Sequence, residues 1–136
     1  MNARREPAKP NTVTAGRFAG VTVIDVSGEH DLPGVDALTT HLDAALAESG
    51  PVVVDLADTA LLDSAAVRAL LAAAHAAEEA GRPFVICAPS GRFPRQVLAL
   101  LGVSSQAVLV EHRRAAFARL GIELSAVPDA GGRRPV

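Results

Sequence analysis

Asp63 and Ser64 are the residues of this chain best placed to do chemistry. They stand between an apolar, β-branched run, Val52-Val53-Val54-Asp55-Leu56, and a segment whose apolar residues recur at helical spacing. Ser and Asp start helices because their side-chain oxygens accept from first-turn amides that have no intrahelical partner. A hydroxyl at such a point lies beside free N–H groups and the positive end of the helix dipole, where a phosphate is also well received. Two readings therefore compete for Ser64: a cap with no further role, and a hydroxyl that accepts a phosphoryl group.

No other residues form a recognisable catalytic set. Ser64 lacks the Gly-x-Ser-x-Gly elbow of an α/β hydrolase, and nothing marks His30, His41, His75 or His112 as its base. A small hydrolase or transferase with Ser64 as nucleophile is thus the remote alternative, and a serine-directed phosphonate is expected not to label it. The histidines are too scattered for a metal site of known spacing, and the glycines make no phosphate-binding loop. Cys87, the lone cysteine, sits in the apolar run Phe84-Val85-Ile86-Cys87-Ala88 and reads as a small buried hydrophobe. The expectation is a protein that is not an enzyme, with no catalytic residue, no metal and no cofactor of its own.

Composition points the same way. The 136 residues suffice for one domain with a sizeable core. Ala supplies much of the apolar content and the only aromatics are Phe18, Phe84, Phe93 and Phe117, which argues against a stacking platform for single-stranded nucleic acid. Net charge is -2, Lys9 is the only lysine, and Arg113-Arg114 is too short a basic run to attract nucleic acid. No run is long enough to span a membrane and Met1 to Pro7 lacks a signal-peptide core, so a cytosolic location is expected.

The elements that must position Ser64 follow from periodicity. Residues 1–11 read as a flexible leader. Thr12–Phe18 reads as an edge strand, Ala19-Gly20 as its turn, and Val21–Val26 as a second strand dense in β-branched residues. Gly28-Glu29-His30-Asp31 ends that strand, and Asp31 is placed to cap a helix over Pro33–Ser49 with Val35, Leu38, Leu42, Ala45 and Leu46 on one stripe. Gly50-Pro51 stops it, and the strand before Ser64 follows, with Asp55 read as a polar group at its end and Asp58 and Thr59 as loop formers beyond. The helix after Ser64 carries Val67, Leu70, Leu71, Ala74 and Ala77 on one side, with Arg68, His75 and Glu79 on the other, and closes at Ala80-Gly81. Pro83–Ala88 reads as a strand, Ser90–Gly102 as a short helix with Phe93, Val97, Leu98 and Leu101 inward, Ala107–Val110 as a strand, and Arg113–Leu120 as a last helix before Gly121. The tail, residues 122–136, is rich in Gly and Pro and reads as disordered beyond about Ala126. Strands alternating with helices at these intervals predict an α/β domain with a largely parallel sheet, which by composition alone is indistinguishable from a flavodoxin-like one.

Three motifs in register carry a resemblance. The stretch Val53-Val54-Asp55-Leu56 followed by Leu62-Asp63-Ser64-Ala65-Ala66-Val67 resembles the STAS domains of bacterial anti-sigma-factor antagonists, whose usual signature here is Asp-Ser-Ser/Thr-Gly-Leu-Gly. Gly28-Glu29-His30-Asp31 is similar to the family's Gly-Glu-Leu-Asp, and Leu101-Gly102-Val103 to its helix-ending Gly-Leu. The likeness covers roughly residues 12–121. It implies the STAS fold: a mixed, mostly parallel sheet of four or five strands with about four helices packed mainly on one side. It also implies that Ser64 is phosphorylated by an anti-sigma factor that is itself a serine kinase and binds the ATP, and that a serine phosphatase restores the hydroxyl. Asp63, Asp31, Glu29, Asp58 and Thr59 would then line the partner-binding surface. The unmodified form would hold the kinase and free a sigma factor to act in transcription, as in a stress response. Where the family has Ser or Thr and then Gly, this chain has Ala65-Ala66. The rival within the fold is a STAS scaffold or sensor subunit in which Ser64 only caps and Asp31 only caps.

Overall fold

A computed structural model describes residues 12–28, 33–59, 64–91, 95, 98 and 108–122. Strands β1 (Thr12–Phe18) and β2 (Val21–Gly28) form an antiparallel hairpin. Ala19 and Gly20 both take positive φ at its turn, the conformation whose twist matches two paired strands. Helix α1 (Pro33–Ala47) then crosses to β3 (Val52–Thr59), and α2 (Ser64–Glu79) crosses to β4 (Phe84–Cys87). A short β5 (Val108–Val110) and a helix α3 (Arg113–Arg119) complete the described elements. The sheet runs in the order β1-β2-β3-β4-β5, parallel from β2 onward.

This order fixes the layers. Each crossover steps to the next strand in the same direction, and right-handed connections of that kind all fall on one face of the sheet. There α1 and α2 pack side by side over Ile24, Val26, Val52, Val54, Leu56, Phe84 and Ile86, and Leu98 from the third connection joins the same core. Leu38, Leu42 and Leu70 are almost wholly buried in it, each contributing about 1.5–3 kcal/mol of transfer energy. No crossover constrains α3, and it lies on the opposite face, its Ala116 and Phe117 over Val21, Val23, Val53, Val85 and Cys87. Coverage of both faces is why β4 and the opening of β3, residues 52–54, read as continuous apolar runs rather than alternating ones. Phe117 meets Phe18 edge to face at 5.5 Å, closing this second core toward β1.

Helix ends are satisfied as their sequences demand. Gly81 and Gly121 take positive φ, and the Arg82→Ala77 and Ile122→Phe117 amide–carbonyl bonds, both 2.9 Å, close α2 and α3 with the same wrap. The first wrap aims Arg82 across at α1, whose last turn has no basic residue of its own. The guanidinium donates to the carbonyls of Gly50, Leu46 and Ala45 at 2.8, 2.8 and 2.9 Å, supplying the missing positive charge from the other helix. Gly50 itself has no alternative: a Cβ there would stand 2.4 Å from the Gly20 carbonyl oxygen, at a φ of +94°.

Several expectations are sharpened or corrected. Strand β3 does not end at Leu56 but continues through Asp58 and Thr59, so these two are strand residues rather than loop formers. The described helices number three, with Arg95 and Leu98 also helical. Ile122, assigned to the tail, packs against the second core. The leader, residues 29–32, residues 60–63, most of the helix expected after Ser90, and residues 123–136 lie outside the described residues. Among the described residues no helix is long and apolar enough to cross a membrane.

Candidate functional site

The carboxyl ends of β2, β3 and β4 share one edge of the sheet, because the three strands are parallel. Helices that follow parallel strands begin at that edge and point their unpaired first-turn amides outward. Ser64 is the first residue of α2, so it stands at this edge, and it is exposed. Ala65 after it is half-buried and Ala66 is buried. The Ala66 methyl, at the position where the resemblance would put glycine, is therefore turned into the core.

Asp58 is another exposed group of the edge, and a bulge puts it there. Asp25 pairs with Asp55, yet Ser27 pairs with Asp58, so β3 carries one more residue than β2 over this step. The extra residue brings Asp58 to the same face as Asp55, where strict alternation would have turned it to the other. The Ala57 amide, cut off from the ladder by the bulge, donates instead to Asp55 Oδ1 at 2.9 Å. Thr59 follows and is buried, its hydroxyl donating to the Val26 carbonyl at 2.7 Å. Thr59, which the resemblance placed on the partner-binding surface, thus stitches β3 to β2, with its hydroxyl spent inside the sheet. Asp31, Glu29 and Asp63 lie outside the described residues.

Behind the edge lies a charged cluster that sequence reasoning did not assemble. Arg113, the first residue of α3, is buried, and its Nε donates to Asp55 Oδ2 at 3.0 Å while Nη2 pairs with Asp25 Oδ1. Asp55 is therefore no strand-end group: it is buried in the sheet and holds an amide with one oxygen and a guanidinium with the other. A buried carboxylate demands such partners, and Asp in the middle of an apolar central strand was the available signal. Nothing in sequence spacing points from Asp55 to Arg113. In front of the cluster a recess of about 240 Å³ opens between Thr12, Thr14, Ser27, Asp25, Asp55 and Asp58. Farther along the edge Glu111 accepts from the Ser90 amide at 3.0 Å and from Arg95 Nη1 at 3.1 Å, and it also pairs with the Ser90 hydroxyl. These bonds, the Ser90 hydroxyl foremost, hold the Glu111 carboxyl below its ordinary range. Burial, and then the Asp55 carboxylate, push the Cys87 thiol upward, which leaves it the inert hydrophobe expected.

Burial raises the Asp25 carboxyl above its ordinary 3.8; Arg113 pulls it down, and the Asp55 and Asp58 carboxylates push it up again. A group whose pKa is raised by folding supports the fold while protonated. Its contribution is complete below 3.8 and is lost as pH rises through the higher native value. Asp25→Asn keeps an oxygen toward Arg113 but cannot ionise. Between about pH 4 and pH 7 it should lose less stability than the parent chain, measured by urea titration at both ends. Identical pH dependence in the two proteins would contradict this assignment.

Among the described residues no three His, Cys, Asp or Glu side chains are grouped so as to hold a metal ion. Residues 15–111 match a family model described as "Mlab, STAS domain". In structure the chain is similar to an anti-sigma factor antagonist from Mycobacterium paratuberculosis, with 27% identity, a TM-score of 0.68, and coverage of 82% of this chain and 95% of that one. It is similar to the unphosphorylated anti-sigma factor antagonist SpoIIAA at 15% identity and TM-score 0.65, covering 81% and 98% of the two chains. A sulfate transporter family protein from Wolinella succinogenes matches at 16% identity and TM-score 0.64, over 76% and 87%. At such identities the last two speak for the fold alone. No curated protein matches the sequence.

Proposed function

The chain belongs to the STAS domain family, and on that premise we propose that it acts as an anti-sigma-factor antagonist rather than as an enzyme. Unmodified, the carboxyl edge with Ser64 and Asp58 docks an anti-sigma factor that is a serine kinase. The kinase brings ATP and its metal ion and transfers a phosphoryl group to Ser64. The modified edge releases the kinase, and a serine phosphatase resets it, all within the cytosol. The observation that carries this reading is an exposed Ser64 at the start of α2, on a fold similar to the Mycobacterium antagonist.

Chemistry at the edge explains how a small mark can act. Phosphorylation adds about 1.5–2 negative charges and three acceptor oxygens. The edge is already acidic through Asp58, so a partner seated there must desolvate like charge beside like charge. The first-turn amides of α2 can satisfy the phosphate locally, so the fold need not move. Incubation with the cognate kinase and ATP is expected to add the mass of one phosphate to the parent chain and none to Ser64→Ala. A chain left unmodified, or a Ser64→Ala variant still modified, would refute the switch.

A second reading draws on the likeness to the transporter-family protein and on Ala65-Ala66 in place of the usual residues after the acceptor. In it the domain is a constitutive scaffold and Ser64 is only a cap. The same kinase assay separates the two.

A further inference from the structure

We infer that Arg113, on the far face of the sheet from α1 and α2, is a positioning residue for the docking edge: through Asp55 it holds the β3 bulge that turns Asp58 outward. The inference rests on the docking role proposed for that edge. Its geometry is a short relay. Arg113 Nε fixes one oxygen of Asp55 at 3.0 Å, and this sets the carboxylate so that the other oxygen meets the Ala57 amide at 2.9 Å. That amide belongs to the bulge, and the register shift it marks decides which face Asp58 occupies. Thr59, anchored to the Val26 carbonyl, pins the strand immediately beyond, so the bulge can only turn Asp58 one way while Asp55 stays in place. Without the guanidinium, Asp55 is a buried carboxylate free to rotate, and the Ala57 amide loses its fixed acceptor. The partner would then meet an edge on which the Asp58 carboxylate samples both faces. Arg113 never touches the partner in this scheme; α3 acts on the edge from behind.

Arg113→Lys is the informative variant, because it keeps the charge that the buried carboxylates need but lacks the planar fork that orients Asp55. In native-state amide exchange, Ala57 should exchange about tenfold faster in Arg113→Lys, the scale of one charge-assisted hydrogen bond, while Val53 and Val54 change less than about twofold. An unchanged Ala57, or a uniform acceleration of all three, overturns the inference, the second because it would mean a general loss of stability. Binding to the kinase supplies an independent arm. Arg113→Lys should weaken affinity about fivefold in the parent chain but less than about twofold in an Asp58→Ala background, since residues acting through one another are not additive. Equal losses in both backgrounds overturn it. A parent chain that binds no such kinase refutes the antagonist reading instead, and the exchange of Ala57 still decides the role of Arg113.

Discussion

Replacing Arg113 by Met should cost the domain about 3–5 kcal/mol, the range found when one partner of a buried ion pair is removed. Met roughly matches the volume of the arginine stem, so the loss isolates charge rather than packing. The stranded group is Asp55, whose side chain is only 2% exposed, whereas Asp25 at 28% is more readily rehydrated. Asp55→Asn removes the stranded charge and keeps an oxygen for the Ala57 amide, so Arg113→Met with Asp55→Asn should regain a substantial part of the loss. Urea midpoints at constant slope would measure both. A single variant as stable as the parent would mean that the cluster adds nothing to the fold. A double variant worse than the sum of its parts would mean that packing, not the unpaired carboxylate, sets the cost.

Ser64→Asp should weaken binding to the kinase tenfold or more, while Ser64→Ala binds as the parent does. An acidic residue in the first turn suits the positive end of the helix dipole, so α2 should form unchanged and the loss should lie at the interface alone. Tenfold is about 1.4 kcal/mol, a modest demand on one carboxylate that must be desolvated against Asp58. Asp carries less charge than a phosphate, so the modified protein should bind more weakly still. Titration calorimetry of the three forms would order them; equal affinities would leave the charge argument without support.

What could be read ahead of the structure follows from which signals are local. Helical and strand periods, the glycines after α2 and α3, and the Ala19-Gly20 turn each lie within a few residues, and the elements fall where they indicate. Ser64 at the head of α2 was legible for the same reason, as a residue type that starts helices next to an apolar stripe. The bulge was not. Ala57-Asp58-Thr59 has the composition of a loop, and the fit against β2 keeps it in the sheet. Asp55 likewise looked like a strand-end residue because its counter-charge comes from Arg113, far along the chain and brought close by topology alone. The burial of Thr59 is the same kind of fact: its hydroxyl partner, the Val26 carbonyl, belongs to another strand.

The unequal clothing of the sheet has a mechanical corollary. Among the described residues one side wears two long helices whose ends are tied to each other by Arg82, and the other a seven-residue helix held at its head by Arg113. Thermal breathing should therefore be lopsided, the thin panel lifting off while the thick one stays shut. A binding edge hinged to that panel would inherit its looseness or its tightness without any change in the serine it displays.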